Sequence, residues 1–389
     1  MKKILYILLT IICFSCDKKE SKEILFTVQN TLDIDKSFET VEISEQILAT
    51  IKSDFYKVID IETKEEIISQ TVDYNLDGIN EVLLFQPKIS ANRTKTYKII
   101  GVNTNKIQDS TLIRCYSRFV PERTDDYAWE NNKVAFRTYG PTAQKMIEDS
   151  VKGGTLSSGI DAWLKRVEYP IINKWYKKHT SGIGSYHKDT GEGLDNFHVG
   201  ASRGIGGIAV KTDSTYAFSK NFISSKTITS GPIRTSFILE YATWSANGKE
   251  IKETKHISLD YGQNLSRFEI HLSGTDSISA GITLHKQDGI SKTNLNEGWM
   301  SYWEPFDDSE LGLGLVAINT IKDFDKYITS KNDESNLYAQ LTVANNTVVY
   351  YAGFGWKKNG QFNTQQQWDA YLSNFSKKLK TPLIIEFQK

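Results

Sequence analysis

Cysteine is nearly absent from this chain. Its 389 residues hold three, and two of these fall within the first sixteen. Only Cys115 lies beyond, so no disulfide framework can hold the fold and a buried core must do so. Cys115 sits in the alternating run Leu112-Ile113-Arg114-Cys115-Tyr116, which reads as a buried structural thiol rather than a nucleophile. Net charge is missing as well: Lys+Arg and Asp+Glu both number 47. A general nucleic-acid binder carries a basic excess, so that class is excluded, although a local basic pocket for an anionic small molecule is not. After the N-terminus no segment is apolar enough to cross a membrane, and there is no internal repeat or low-complexity stretch. What is plentiful is aromatic: 12% of residues, with 19 Tyr and 18 Phe. That enrichment suits strands first and sugar stacking second. The length allows one large β-domain or two domains with real cores.

The N-terminus reads as an address. Met1-Lys2-Lys3 is a short basic start, and Ile4 to Phe14 is an apolar run too short to span a bilayer as a helix. It ends at Ser15-Cys16, followed by Asp17-Lys18-Lys19-Glu20. A small residue before Cys after an apolar run resembles a bacterial lipoprotein signal, here with Cys13 where Leu is usual. The expectation is a signal peptide over 1–16, lipidation of Cys16, and a solvated tether over 17–23. The protein would then sit in the cell envelope, touching membrane only through its anchor.

Residues 24–105 read as short strands forming a small β-sandwich-like region. Within it, Asp73, Asn75, Asp77 and Gly78 look like the start of a calcium loop. An EF-hand would place its Glu at the twelfth position, whereas Glu81 is at the ninth, and an Asx-rich hairpin turn is the other reading. Residues 106–389 read as one large domain. Val134 to Tyr139 alternates as a strand, Thr142 to Val151 suits a short helix, and 158–167 is ambiguous. From Ile208 onward long half-alternating runs dominate: 234–244, 251–259, 265–272, 278–285, 311–320 and 347–351. Asn247-Gly248 is a hairpin signal. Thr364 with Gln367 makes a capping-box pattern, and Trp368, Tyr371, Leu372, Phe375 and Leu379 share one helical face. The expected class is all-β: a large antiparallel β-sandwich with a smaller N-terminal β region and a packed C-terminal helix, then a last strand at 382–387.

Ionisable, aromatic and glycine residues concentrate between Phe119 and Gly207 more than anywhere else. A core does not need them there; a pocket for a polar, ring-shaped substrate would. The segments are Pro121-Glu122-Arg123, Asp125-Asp126, Ala128-Trp129-Glu130-Asn131, Arg137-Thr138-Tyr139-Gly140-Pro141, Gly159-Ile160-Asp161-Ala162-Trp163, and Tyr186-His187 through Asp189, Gly191-Glu192-Gly193 and Asp195. With Gly353-Phe354-Gly355-Trp356 and the Trp368 helix, they resemble the DUF4861 family, common in sugar-degrading Bacteroidetes. The resemblance covers nearly all of the chain beyond the leader. It implies a supersandwich of the galactose-mutarotase kind. It also implies a dehydratase, a carbon–oxygen lyase that removes water from the 4,5-unsaturated uronate at the non-reducing end of ulvan oligosaccharides. No cofactor is implied.

Such a substrate needs a cation for its carboxylate, and arginine fits two oxygens best. Arg123, Arg137 and Arg203 are the candidates, each weighed against a structural ion pair. Loss of water needs a general acid and a base. His187 is the first choice, with Tyr186 and His198 beside it in the glycine-rich loop and His285 in reserve. Trp129, Glu130, Tyr139 and Asp195 complete the expected contacts, although core packing is the default for any single aromatic. A metal set of His187, Asp195 and His198 matches no standard spacing. Two rival readings stay open: a polysaccharide lyase or epimerase on uronate glycans, and a lipid-anchored carbohydrate-binding protein with no chemistry.

Overall fold

The computed structural model describes residues 23–51, 53, 55–102, 113–331 and 333–388. The expected signal peptide, Cys16 and nearly all of the expected tether lie outside them. The described chain is almost entirely antiparallel sheet. None of its helices is long and apolar enough to cross a membrane.

The all-β class holds. A nine-stranded sheet forms one wall of the large body, with Arg234–Tyr241, Lys249–Asp260, Leu265–Ser273 and Thr347–Trp356 near its middle. Two five-stranded sheets face it. One is built around Ile205–Lys211, Ser277–Thr283 and Asn336–Thr342. The other runs Gly193–Leu194, Asp161–Lys165, Ala135–Thr138, Asp126–Glu130 and Tyr116–Val120 in spatial order. A parallel bridge between Ile160 and Gly204 joins these two into a continuous opposing layer. Period-two alternation sends Phe237, Leu239, Ile257, Phe268, Leu313 and Tyr350 inward from the large sheet. They meet Ile208, Ile282, Trp129 and Phe136 from the facing layer in one core.

The N-terminal region is a separate small sandwich of a five- and a three-stranded sheet around Phe26, Val28, Ile43, Phe85 and Ile99. Its first strand already starts at Glu23. The last strand of the chain, Ile384–Phe387, pairs with Glu23–Gln29. The N-terminal sandwich is therefore closed by residues that a boundary at 105 assigns to the other region. The C-terminal helix Gln365–Lys380 lays Trp368 and Leu372 against Gly312 and Gly314 of the nine-stranded sheet. The Thr364 hydroxyl accepts from Gln367 N, while the Gln367 side chain reaches back to Asn363 N rather than to the cap itself. Asn247 and Gly248 both have positive φ, as a two-residue hairpin of this kind requires. Cys115 is fully buried, and burial pushes its thiol well above the usual range.

Candidate active site

The sheet that ends in Tyr116–Val120 has two covered faces, and this creates the site. Along Asp126–Glu130 the side chains of Tyr127 and Trp129 enter the large core, so Asp126, Ala128 and Glu130 point the other way. The same alternation puts Ala135 with Arg137, and Asp161 with Trp163 and Lys165, on that outer face. It is roofed by the helix Ile172–Thr180, whose Ile172, Trp175 and Tyr176 recur at helical spacing and pack on Trp163. The helix Ile172–Thr180 thus begins just after Pro170, and within the ambiguous 158–167 the strand is Asp161–Lys165.

Arg137 is the centre. Register sets it directly opposite Asp161. Its Nε and Nη2 donate to Asp161 Oδ2 at 2.9 and 2.5 Å, and Nη2 also donates to Asp195 Oδ2 at 3.0 Å. Asp126 Oδ2 stands 3.7 Å from Nη1. Nη1 donates to the Tyr186 hydroxyl at 3.3 Å. The rings of Tyr139 and Trp163 flank the guanidinium. All three carboxyls are buried. One guanidinium cannot neutralise three ionised carboxylates, so protons are retained. Burial pushes Asp126 up to about 6 against the opposing pull of Arg137 and Arg123. Burial, with Asp195 adding to it, pushes Asp161 well above the carboxylate range. Asp195 is delivered to this centre by Gly193. There φ is 109° and a Cβ would come within 1.9 Å of the Leu164 carbonyl, so only glycine lets the chain cross the sheet edge.

Asp126 allows a test with a definite sign. Its carboxyl titrates near 6 in the folded protein, against 3.8 for the free side chain. The resulting destabilisation is absent below the lower value, grows as pH rises from 3.8 to 6, and levels off at about 3 kcal/mol above it. Asp126→Asn removes the charge and keeps an acceptor for the Tyr176 hydroxyl. Its urea stability relative to wild type is expected to rise between about pH 3.5 and 6.5 and to level off above that. A difference that stays flat with pH would show that Asp126 does not carry this proton.

Above the centre lies the surface. Tyr186 is buried, and its hydroxyl accepts from Arg137 and from Arg123 Nε at 3.2 Å. Its ring stacks on His179 and lies tilted against Trp163. Arg123 is half-buried, and no described carboxylate lies within ion-pair distance of it. It closes the short turn Pro121–Arg123, after which Thr124 and Asp125 both take left-handed backbone, an unfavourable pair that marks a constrained turn. His187 is half exposed. Its Nδ1 is 2.6 Å from the Asp195 carbonyl and 3.5 Å from the Asp195 carboxylate. A carbonyl can only accept, so Nδ1 bears a proton, and in the neutral form of this exposed ring the lone pair is on Nε2. Asp161 Oδ1, Trp163 Nε1 and His179 Nδ1 are buried here without hydrogen-bond partners among the described residues. Burial also lowers His179. Orphaned polar atoms of this kind are uncommon in a purely structural core.

The expected site residues divide. Arg123, Arg137, Tyr139, Tyr186, His187 and Asp195 come together. Arg137, however, is engaged by carboxylates of the protein and not by an open space, so it is an internal counter-ion. Glu130 is structural: it is fully buried, pairs with Lys165 at 2.7 Å, and accepts the backbone N–H groups of Ile171 and Ile172 at the helix start. Trp129 lies in the large core, donating to Ser266 and stacking on Phe136. Arg203 is buried outside this cluster, over the Phe218 ring and bonded to Ser158 and the Ala201 carbonyl. Burial lowers it to about 10. His198 is exposed and paired with Asp333 at 2.8 Å. With Asp195 committed to Arg137, the set His187, Asp195 and His198 does not converge on a metal.

The acidic turn is the sole metal-sized group among the described residues: Asp73, Asp77 and Glu81. Its oxygens accept from Leu76, Gly78, Ile79 and Tyr74 backbone N–H groups, as an Asx turn does. A cavity of about 510 Å³ lies elsewhere, between the C-terminal helix, the N-terminal sandwich and the nine-stranded sheet. None of the Arg137 cluster lines it. Both of its arginines, Arg234 and Arg267, already hold protein carboxylates.

Asp126, Asp161, Tyr176 and His179 are members outside the expected set: Asp126 is expected only as an ion-pair partner for the arginines, and His179, beside Lys177-Lys178, as a solvated residue, whereas its ring is partly buried against Tyr186. The first two stand within the quoted motifs, and pairing strand alternation with register would have found them.

Fold and site together define an antiparallel β-sandwich protein with a buried arginine–carboxylate centre beneath an outward-facing imidazole. The chain belongs to the DUF4861 family, described as a domain of unknown function, which it matches over residues 28–385. It is 56% identical over 381 residues to a Formosa agariphila protein named "Uncharacterized protein P7", covering 96% of each chain. Two Enterococcus faecalis structures resemble it in fold, each at 10% identity, a TM-score of 0.47 and 94% of this chain. One is an alpha-mannosidase and the other a protein in the Glycosyl Hydrolase Family 38. This chain spans about half their length, 46% and 47%. At that level the likeness bears on neither substrate nor mechanism.

Proposed function

We propose that the protein is a dehydratase acting on 4,5-unsaturated uronate at the end of ulvan oligosaccharides. The observation that carries the chemistry is His187, whose Nδ1–H is held by the Asp195 carbonyl so that Nε2 is a poised base at the surface. Arg123, free of protein carboxylates among the described residues, neutralises the substrate carboxylate; the carbon that bears it is part of the double bond and has no hydrogen, so the acidity is passed through that double bond to the allylic carbon, which loses the proton. Nε2 takes that proton. The electron pair of the broken C–H bond forms a new double bond, and the C–O bond to the adjacent hydroxyl breaks. The imidazolium returns its proton to that hydroxyl, which leaves as water. Tyr186, too buried to meet a sugar directly, holds Arg123 in place.

The test is incubation with lyase-made ulvan oligomers, followed by mass spectrometry and ultraviolet absorbance. Loss of one water is expected. Unchanged mass and absorbance alongside measurable binding would leave a carbohydrate-binding protein instead. The lipid anchor belongs to the same reading, since an envelope enzyme would meet its oligosaccharides there. Cys16→Ser is expected to move the protein from the membrane pellet to the soluble fraction, and no change on fractionation would remove the anchor.

A further inference from the structure

One buried titratable pair takes no part in the reaction just described. His285 lies two residues beyond the strand Ser277–Thr283, with φ at 37°, a left-handed conformation that a β-substituted residue adopts only when its surroundings compel it. Its ring is nearly buried, edge-on to Phe197 and tilted against Phe306. Nδ1 is 2.6 Å from Oε1 of the buried Glu304, and Nε2 is 3.1 Å from the His198 carbonyl. The carbonyl only accepts, so Nε2 carries a proton. The bond to Glu304 must then be made by a second proton held between the two side chains. Burial pushes the Glu304 carboxyl up, against the opposing pull of His285. Lys286 and Asp288 are the other charges near Glu304, and the His198 ring itself turns to Asp333.

The pair grips one end of the segment 195–198. The other end is gripped by Arg137 through the Asp195 carboxylate, and the carbonyl of that same Asp195 receives the His187 proton. Only Asn196 and Phe197 separate the two grips. Between them the Asp195 N–H donates to the Tyr186 carbonyl and the Asn196 side-chain amide to Asp307, so the His198 grip is one of the holds that set the direction of the Asp195 carbonyl.

We propose that His285, clamped by Glu304, is a positioning residue for His187: by holding the His198 carbonyl it fixes the segment whose Asp195 carbonyl keeps the proton on His187 Nδ1. This rests on the reading of His187 as the acid–base group, but it can be tested without substrate. In the full-length protein, ring ¹⁵N shifts of His187, assigned by their loss in His187→Ala, report the tautomer. Wild type is expected to show the Nδ1–H form, and His285→Leu a mixture of forms. His285→Asn, whose amide can donate to the carbonyl and whose side chain tolerates left-handed backbone, is expected to restore the first pattern. On unsaturated oligosaccharide, His285→Leu is expected to lower kcat by roughly 10–100-fold with KM changed less than about 2-fold. Should His285→Leu fail to fold, Glu304→Met releases the ring while filling the same space, and the same tautomer mixture is expected. A His187 pattern identical to wild type in a folded variant overturns the clamp. An altered pattern with no turnover in wild type upholds the clamp and sinks the dehydratase reading instead.

Discussion

Replacing His187 by alanine is expected to abolish turnover of unsaturated uronate oligosaccharides while leaving the fold in place. A positioned acid–base group contributes about 10²–10⁴-fold, and here one ring serves both steps, so the upper part of that range applies. The fold should not notice. The ring is half exposed, and its bonds to the protein are made through Nδ1 to Asp195. Urea unfolding is expected to agree with wild type within about 0.5 kcal/mol, as for surface substitutions away from buried networks. Near-normal rates in a folded His187→Ala protein would move the chemistry to another group. The exposed His198 is then the next candidate, since both ring nitrogens of the nearly buried His285 are taken by Glu304 and the His198 carbonyl.

Arg137→Met is expected to do the reverse, removing the fold before the chemistry can be measured. The guanidinium is the counter-ion for Asp161 and Asp195, with Asp126 close by, and methionine leaves all three acids buried without it. Removing one partner of a buried ion pair costs about 3–5 kcal/mol, and here one substitution strips several carboxyls at once. The variant is expected to be insoluble or to melt far below wild type at neutral pH. Lowering the pH protonates the acids, so part of the lost stability should return in mild acid. A variant that melts like wild type at pH 7 would mean that the three acids are neutral without Arg137. The opposite outcomes at His187 and Arg137 separate the working surface of the site from the structure beneath it.

Much of this was legible in the residues. The alternating runs 251–259 and 265–272 became the strands Lys249–Asp260 and Leu265–Ser273, since period two survives wherever one face is buried. The Asn247-Gly248 turn and the Trp368 helix face followed from local chemistry in the same way. Strands such as Asn336–Thr342 escaped notice, as did Trp299–Phe306, which is buried on both faces for most of its length and so shows no alternation. Arg137 suits a substrate carboxylate and a structural ion pair equally well on sequence, and Glu130 likewise suits a substrate contact. Their partners, Asp161 and Lys165, are residues from another strand that only register brings opposite.

The stretch from Phe119 to Gly207 thus carried the composition of the site, the family to which the chain belongs, and the choice of His187. Composition alone left open which side of each strand faces the core, and so which charges are paired and which are open. That depends on long-range register. Asp126, Arg137, Asp161 and Asp195 come from four strands or loops, and their mutual distances are set by antiparallel pairing and by the chain crossing at Gly193. Local sequence determines what a residue can do; the tertiary structure decided which neighbour neutralises it, because electrostatic pairing in a low-dielectric interior is a property of distance and not of sequence order.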